Sequence, residues 1–256
     1  MTDQISADLI LQTAGLTKEF KGFTAVKDVN LHVRRGHIHA LIGPNGAGKT
    51  TCFNLLTKFL SPTAGRILFN GRDITGLKPA QVARQGIVRS FQISAVFPHM
   101  TLLENVRVAL QHKLGTSFHF WQSEASLAHL DEPAMALLAQ VGLDGFARSV
   151  TADLPYGRKR ALELAVTLAR DPELMLLDEP TSGMGHEDVK LVTALIEKVS
   201  EGRTTLMVEH NMSIVAGISD RITVLQRGSV LAEGSYDEVS NDAQVMEAYM
   251  GTGARS

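Results

Sequence analysis

The chain has 256 residues, of which 44% are hydrophobic and 20% are charged, an ordinary composition for one large globular domain or two small ones. Its 25 Lys and Arg residues against 27 Asp and Glu residues give a net charge of −2, so the composition gives no argument for nucleic-acid binding. The presence of one cysteine excludes an intrachain disulfide. No apolar run approaches the roughly 18 residues needed to cross a bilayer.

The first 70 residues predict several β-strands. Apolar runs favour strands over residues 9–13, 25–33 and 38–42, and residues 65–71 read as a strand that ends in an Asn-Gly turn. Residues 52–60 have helical periodicity. The sequence therefore predicts a buried strand, a short connection at residues 43–51 and then a helix.

That connection reads Gly-Pro-Asn-Gly-Ala-Gly-Lys-Thr-Thr and matches a phosphate-binding loop. Its glycines let backbone N–H groups surround phosphate oxygens at a helix N-terminus. We expect Lys49 to be exposed and to reach the β- and γ-phosphates, and the Thr50 hydroxyl to ligate Mg²⁺. The chain is therefore predicted to bind a nucleoside triphosphate. The candidate binding residues are Gly43, Pro44, Asn45, Gly46, Ala47, Gly48, Lys49, Thr50 and Thr51.

The rest of the chain alternates helices with strands. A short helix is predicted over residues 79–84, and residues 93–160 form a predominantly helical region. Helices over 161–170 and 187–200 alternate with strands over 174–177, 204–208 and 222–225. This alternation predicts a mostly parallel sheet covered on both faces.

Asp178 and Glu179 directly follow the apolar strand at 174–177. Ligands of open α/β sheets bind at the carboxyl ends of the strands. An acid at this place in phosphate-loop enzymes holds Mg²⁺, so Asp178 is a candidate metal residue. Glu179 is the candidate base for a water that attacks the γ-phosphate.

Taken together, these motifs resemble the ATP-binding-cassette family in the family's order, over about residues 10–250. The resemblance implies an α/β phosphate-loop NTPase core with a mostly parallel sheet, an N-terminal antiparallel β part and an inserted helical subdomain. It implies one nucleotide-binding domain over residues 1–256, with the core at 1–92 and 161–256 and the helical subdomain at 93–160. ATP and Mg²⁺ are the implied cofactors.

The resemblance also implies roles for residues outside the two motifs. Phe20 matches the aromatic residue that stacks on adenine, and Val26 is a further cofactor-binding residue. Gln92 matches the glutamine that senses Mg²⁺ and water, which makes it both a metal and a catalytic candidate. His210 matches the switch histidine. The family signature, which binds the γ-phosphate held by the opposite monomer, corresponds to Leu154, Pro155, Tyr156, Gly157 and Arg158.

Three residues depart from the usual family pattern. Pro155 replaces the serine of the signature, which removes a hydroxyl donor, and Tyr156 replaces its first glycine. Gly185 stands where the family usually has an aspartate. These changes weaken what the chain offers across a dimer interface, so the resemblance favours a heterodimer with a second cassette ATPase and leaves a homodimer open.

The Tyr-Gly signature and residues 88–92, 97–106 and 218–222 resemble the ATPases of importers for branched-chain amino acids and related small polar solutes. The long helical insertion resembles that of the larger ATPase of the pair. The implied partners are integral membrane permeases, a second cassette ATPase and, indirectly, an external solute-binding protein. The implied location is peripheral, at the cytoplasmic side of the cell (inner) membrane.

Several alternative functions remain open at this stage. The chain could be the ATPase of a lipopolysaccharide-type exporter or of a non-transport cofactor-assembly system, because the core motifs would look similar. A non-enzymatic nucleotide-gated scaffold is disfavoured by the presence of both Glu179 and His210. A small-molecule kinase would need neither the signature nor the switch histidine.

Overall fold

The computed structural model describes residues 8–90, 96–114 and 128–250, with the backbone alone at 112–114 and 250. These residues form two compact units. The first takes the described residues within Met1–Ile87, Glu173–Glu179 and Gly202–Ser256, and the second those within Val88–Pro172 and Pro180–Glu201. The domain boundaries expected from the sequence stay a prediction.

The strands of the described residues are, in chain order, β1 (Leu9–Phe20), β2 (Phe23–Val29), β3 (His32–Arg34), β4 (Ile38–Ile42), β5 (Ala64–Phe69), β6 (Arg72–Asp73), β7 (Ile87–Ser90), β8 (Leu174–Asp178), β9 (Thr204–Val208), β10 (Arg221–Gln226) and β11 (Ser229–Gly234). The helices are α1 (Lys49–Leu56), α2 (Pro79–Arg84), α3 (Leu102–Leu114), α4 (Asp131–Gln140), α5 (Tyr156–Leu168), α6 (His186–Ser200), α7 (Met212–Ile218), α8 (Tyr236–Ser240) and α9 (Ala243–Met250).

The first unit contains an antiparallel and a mostly parallel sheet. In the antiparallel sheet β1 pairs with β2, β3 and β5, and β6 follows β5. The second sheet has the order β11-β10-β4-β9-β8-β7, and the chain leaves the first unit through β7. Strands β10, β4, β9 and β8 run parallel, whereas β11 is antiparallel to β10. The predicted α/β fold with an N-terminal antiparallel part is confirmed.

Every residue of β4, β8 and β9 is buried, as expected for parallel strands covered on both faces. The core of the first unit joins these strands to α1 and to the antiparallel sheet. Cys52 of α1 lies in this core, where burial raises the pKa of its thiol to about 12. The carboxyl ends of β4, β8 and β9 therefore form a rigid edge from which polar residues project.

Some predicted boundaries were wrong. The single strand expected over residues 25–33 is divided into β2 and β3, which are separated at residues 30–31 and pair with different parts of β1. At the break, the Asn30 side chain donates to the Asp28 carbonyl at 3.1 Å and accepts the Gly15 N–H at 2.8 Å. Helix α5 begins at Tyr156, five residues before the predicted start at Ala161.

The second unit contains α3, α4, α5 and α6. An ion pair between Arg107 and Asp131 joins α3 to α4. Asn105 of α3 is buried, and its Nδ2 donates to the Phe97 carbonyl at 3.1 Å and to Thr151 Oγ1 at 3.0 Å. This side chain therefore connects the segment before α3 to the segment before α5. Across the parts of the chain that the structure describes, no helix combines the length and the apolar character of a membrane span.

His39 of β4 is buried in a polar cluster on the sheet of the first unit. The Thr223 hydroxyl donates to Glu233 at 3.0 Å, so its oxygen accepts from His39 Nε2 at 2.8 Å. His39 Nδ1 has no hydrogen-bond partner among the described residues, so a second proton there would be buried without an acceptor. Burial lowers the pKa of His39 to about 4, although Glu233 opposes this, and Arg221, His37 and His32 lower it further.

We expect the free energy of unfolding to fall as the pH drops from 6.5 toward 4, because His39 is neutral in the folded chain and charges in the unfolded chain. The unfolded state then binds more protons in this window, and the full shift corresponds to about 3 kcal/mol. Urea unfolding of the wild type and of His39→Gln on either side of the window checks this. The glutamine amide can still donate to Thr223, so the variant should depend less steeply on pH. Equal slopes in the two proteins would contradict the assignment to His39.

Candidate nucleotide-binding site

The phosphate loop was predicted over residues 43–51. In the structure residues 43–48 connect the carboxyl end of β4 to α1, and Lys49, Thr50 and Thr51 form the first turn of that helix. Within the loop the Ala47 N–H donates to the Pro44 carbonyl at 3.1 Å. The Ala47 carbonyl accepts the N–H of Gly228, in the turn between β10 and β11, at 2.9 Å. The loop is thus closed on itself and held against a neighbouring hairpin.

Both the backbone conformation and the space around position 43 require glycine. Its φ is 148°, and a Cβ at this position would overlap the carbonyl oxygen of Leu225. Any side chain would push the loop away from β10. The first glycine of the sequence pattern therefore allows the close approach of two backbones.

Lys49 is buried, with 8% of its surface exposed, so the expectation of an exposed loop lysine was wrong. Its ammonium donates to the carbonyls of Gly43 at 2.7 Å and Pro44 at 3.1 Å. Burial lowers the pKa of Lys49, and the charges of Glu179 and Asp178 oppose that effect. Both carboxylates therefore act electrostatically on the lysine of the phosphate loop.

Asp178 and Glu179 lie where β8 ends. Asp178 is buried as the last residue of the strand. Glu179 has a left-handed backbone, with φ 46°, and its N–H donates to the Val208 carbonyl at 2.9 Å. The chain thus turns sharply at Glu179 while it stays attached to β9.

His210 follows β9, the neighbour of β8, and 58% of its side chain is exposed. It is positioned by Glu209, which is completely buried and which the sequence analysis left without a role. Glu209 Oε2 accepts the N–H of His210 at 2.7 Å and of Asn211 at 3.0 Å. An acid between a strand end and the capping Asn211 of α7 is the sequence signal that could have identified this turn.

The two residues expected near adenine differ in exposure. Phe20, at the end of β1, has 41% of its surface exposed, and the Lys18 ammonium lies 5.1 Å from the centre of its ring. Val26 is completely buried behind the phosphate loop, so it belongs to the core. A direct contact of Val26 with the cofactor stays a prediction.

The signature residues lie in the second unit, at the start of α5. Leu154 and Gly157 are buried, whereas Pro155, Tyr156 and Arg158 are exposed. Pro155 occupies the N-cap position, which suits its fixed backbone. The Arg158 guanidinium lies 3.9 Å from the centre of the Phe146 ring.

Tyr156 and Gly157 each connect α5 to the segment that leads into α6. The Tyr156 hydroxyl donates to the Ser182 carbonyl at 3.3 Å and accepts from Arg160 Nη2 at 3.0 Å. A Cβ on Gly157 would lie 2.6 Å from Asp188 Oδ1 of α6, so a larger residue at this position would require the Asp188 side chain to move. Tyr156, which replaces the first glycine of the usual signature, therefore forms a contact with the segment before α6 that the sequence analysis did not predict.

Gln92, expected to sense Mg²⁺ and water, lies outside the described residues. Of the other candidates, the structure brings the phosphate loop, Asp178 and Glu179 together in the first unit. His210 belongs to the same unit, at the end of the strand beside β8. These elements suit a nucleotide whose phosphates occupy the loop and whose γ-phosphate faces the two carboxylates.

Comparison with known proteins supports this assignment. Residues 26–182 match the family "ABC transporter", and residues 229–255 match "Branched-chain amino acid ATP-binding cassette transporter". The chain is 41% identical over 254 residues to a high-affinity branched-chain amino acid transport ATP-binding protein, LivG, of Salmonella typhimurium. That alignment covers 94% of this chain and 98% of the relative.

Solved structures agree with the sequence comparison. The ADP conformation of an ATP-binding cassette of an ABC transporter matches with a TM-score of 0.84 and 29% identity, covering 95% of this chain and 99% of that one. A dimeric post-hydrolysis cassette bound to ADP and Pi matches with a TM-score of 0.73 and 25% identity, covering 88% and 98%. The chain therefore belongs to the ABC transporter family, and the branched-chain amino acid transport ATP-binding proteins are among its relatives.

Proposed function

We propose that this chain is the ATP-hydrolysing subunit of an importer that takes up branched-chain amino acids or related small polar solutes through separate membrane permeases. The main structural support for this proposal is the position of Lys49. Its ammonium is hydrogen bonded within the phosphate loop, and the charges of Glu179 and Asp178 act on it. The match at residues 229–255 favours this importer over an exporter or a cofactor-assembly ATPase.

In the proposed mechanism the backbone N–H groups of the loop and the Lys49 ammonium hold the phosphates, and Phe20 stacks on adenine. The donors proposed for Mg²⁺ are Thr50, Asp178 and Gln92. The exposed Thr50 hydroxyl and the Asp178 carboxylate are hard oxygen donors, which suit this ion. Bound Mg²⁺ would neutralise charge on the phosphate oxygens.

Hydrolysis is assigned to the residues at the ends of β8 and β9. Glu179 takes the proton of the attacking water, and His210 orients that water and the γ-phosphate. Glu209 contributes by fixing the backbone of His210 through the hydrogen bonds described above. In the closed dimer, the signature at residues 154–158 faces the nucleotide of the opposite cassette.

We further propose one nucleotide-binding domain that acts at the cytoplasmic face of a membrane, with permeases and a second, different cassette ATPase as partners. The solved dimeric cassette supports a two-cassette assembly. The departures at Pro155 and Gly185 support a heterodimer, because a homodimer would contain two altered signatures. An external solute-binding protein completes the proposed system.

The test compares ATP turnover of the isolated chain with that of the complex purified from its own membranes through a tag on this chain. We expect slow turnover alone and at least about tenfold faster turnover in the complex, with a hydrophobic permease and a second cassette present. Proteoliposomes containing the complex and a leucine-loaded binding protein should accumulate labelled leucine only with ATP on the cassette side. Turnover of the isolated chain that rises with its concentration to the rate of the complex would contradict the heterodimer. Solute-independent turnover with no leucine uptake would contradict the importer.

A further inference from the structure

The two-residue turn between β10 and β11, formed by Arg227 and Gly228, lies against the phosphate loop. Both residues have left-handed backbones, with φ 50° and 83°, as a type I′ hairpin turn requires. The two strands stay paired up to the turn, where Gln226 lies opposite Ser229. The hairpin therefore fixes the place at which it presents the backbone groups of the turn.

Gly228 bonds to two different parts of the first unit through its backbone. Its N–H donates to the Ala47 carbonyl of the phosphate loop at 2.9 Å, and its carbonyl accepts the Lys27 N–H of β2 at 2.7 Å. The Ser229 hydroxyl donates to the Lys27 carbonyl at 3.2 Å, which adds a second bond between the hairpin and β2. One residue thus connects the phosphate loop to β2 by two short backbone hydrogen bonds.

The loop, the turn and β2 approach one another too closely for a side chain at either of two glycines. A Cβ on Gly228 would lie 2.8 Å from the carbonyl oxygen of Ala25 in β2. A Cβ on Gly48, the last residue of the loop, would lie 2.5 Å from the same oxygen and 3.4 Å from the Cα of Gly228. The two glycines therefore allow the three segments to pack backbone against backbone.

Strand β2 leads from this junction to the residue expected to contact adenine. It pairs with β1 in an antiparallel ribbon, in which Phe23 lies opposite Phe20. The strand that carries Phe20 is thus paired with the strand that contacts Gly228 through Ala25 and Lys27. Gly228 therefore connects the proposed phosphate-binding and base-binding parts of the site.

The tip of the phosphate loop, in contrast, faces a cleft of about 600 Å³. Residues 44–47 line this cleft, together with Arg227 of the turn and with Gln244 and Glu247 of α9. Because this space separates the tip from α9, the helix gives the tip little support. The contacts of Ala47 and Gly48 with the turn and β2 are consequently the ones that hold the loop in place on this side.

We propose that Gly228 is a positioning residue that keeps the phosphate loop and the β1–β2 ribbon, and with them the two ends of a bound nucleotide, at one fixed spacing. The inference rests on the proposed nucleotide site, with Phe20 as its adenine contact. When the two parts are in register, binding of the base makes binding of the phosphates intramolecular, so the two affinities reinforce each other. A loose connection loses part of that gain, because ordering the two parts then costs free energy on binding.

The test is Gly228→Ala in the full chain, titrated calorimetrically in the presence of Mg²⁺ with a non-hydrolysable ATP analogue and, separately, with inorganic tripolyphosphate. The added methyl group must displace the turn from Ala25, while every side chain proposed to touch the nucleotide is retained. We expect the Kd for the analogue to rise by about tenfold. The Kd for tripolyphosphate should rise by no more than about 2-fold, because this probe engages the phosphate loop alone.

Gly202→Ala is the matched control. Gly202 lies in the same unit and has a left-handed backbone with φ 70°, but within the described parts of the chain a Cβ there meets no neighbouring atom closer than 4 Å. This variant reproduces the strain of alanine at positive φ, so it should lower the Tm and leave both Kd values unchanged. If Gly228→Ala does not fold, Ser229→Ala replaces it, with an expected rise of about 2-fold for the analogue alone.

Equal factors for the two probes would overturn the proposal, because Gly228 would then support the phosphate loop alone. An unchanged Kd for the analogue, or the same rise in Gly202→Ala, would also overturn it. In the membrane complex of Gly228→Ala, the KM for ATP should rise with an unchanged kcat, and a lower kcat at an unchanged KM would contradict positioning. These outcomes leave the proposed transport function standing, whereas wild-type protein that bound neither probe would overturn the nucleotide site and this inference together.

Discussion

Glu179→Gln is expected to lower ATP turnover by about 10²- to 10⁴-fold, the usual contribution of a general base, while Mg·ATP binding is retained. The amide keeps the shape of the side chain and cannot take up the proton of the attacking water. The variant mixed with its partner cassette should therefore accumulate as a closed, ATP-bound dimer. Steady-state phosphate release, a binding titration and size-exclusion chromatography with ATP measure the three properties.

Glu173→Gln provides the matched control for this variant. Glu173 immediately precedes β8, lies in the same unit and is exposed, with a surface ion pair to Arg35 at 3.8 Å. The same chemical change at the other end of the strand should leave turnover unaltered. If Glu179→Gln retained full turnover while its control behaved normally, Glu179 would not be the base.

The second large effect is expected for Lys49→Ala, which should weaken binding of Mg·ATP by about 100-fold or more. The change removes charge-assisted hydrogen bonds to two phosphates from a site that is partly shielded from water. The fold should persist, because Lys49 is not part of the hydrophobic core of the first unit. Calorimetric titration gives the affinity, and circular dichroism gives the melting temperature.

Lys58→Ala separates the loss of phosphate contacts from the loss of a buried lysine. Lys58 is buried two residues beyond the end of α1, outside the phosphate loop, and its pKa is also lowered by burial. We expect its removal to leave the affinity for Mg·ATP unchanged. Normal ATP affinity in Lys49→Ala, or a similar loss of affinity in both variants, would contradict the role assigned to Lys49.

The phosphate loop could be predicted because its chemistry is local. Nine consecutive residues contain a lysine, a threonine and a glycine whose backbone lies close to Leu225. The strand and the helix that flank them have clear periodicity. The predicted bounds of α2 and β9 agree with the structure for a similar reason. Pro79 begins α2, and β9 is an uninterrupted buried run.

Features that depend on tertiary contacts could not be predicted in this way. Strand β11 was missed because five of its six residues are only partly buried, so no alternation marks it. Lys49 was expected to be exposed but is buried. Its acceptors, the carbonyls of Gly43 and Pro44, come within reach of the ammonium only when the loop folds back, which the sequence pattern does not reveal. The Glu209 carboxylate accepts a backbone N–H just after the end of β9. The burial of this side chain cannot be inferred from the presence of a single acidic residue in the sequence.

The burial of Cys52 has a practical consequence for spectroscopy. Because the one thiol of the chain is fully buried and remains protonated at neutral pH, maleimide or nitroxide reagents will not modify it while the protein is folded. The native sequence is thus a ready background for labels attached to introduced cysteines. Exposed positions such as Met246 on α9 and Leu191 on α6 offer attachment points in the two units. Fluorescence or spin-label measurements at such positions would report how each unit responds to nucleotide binding and release.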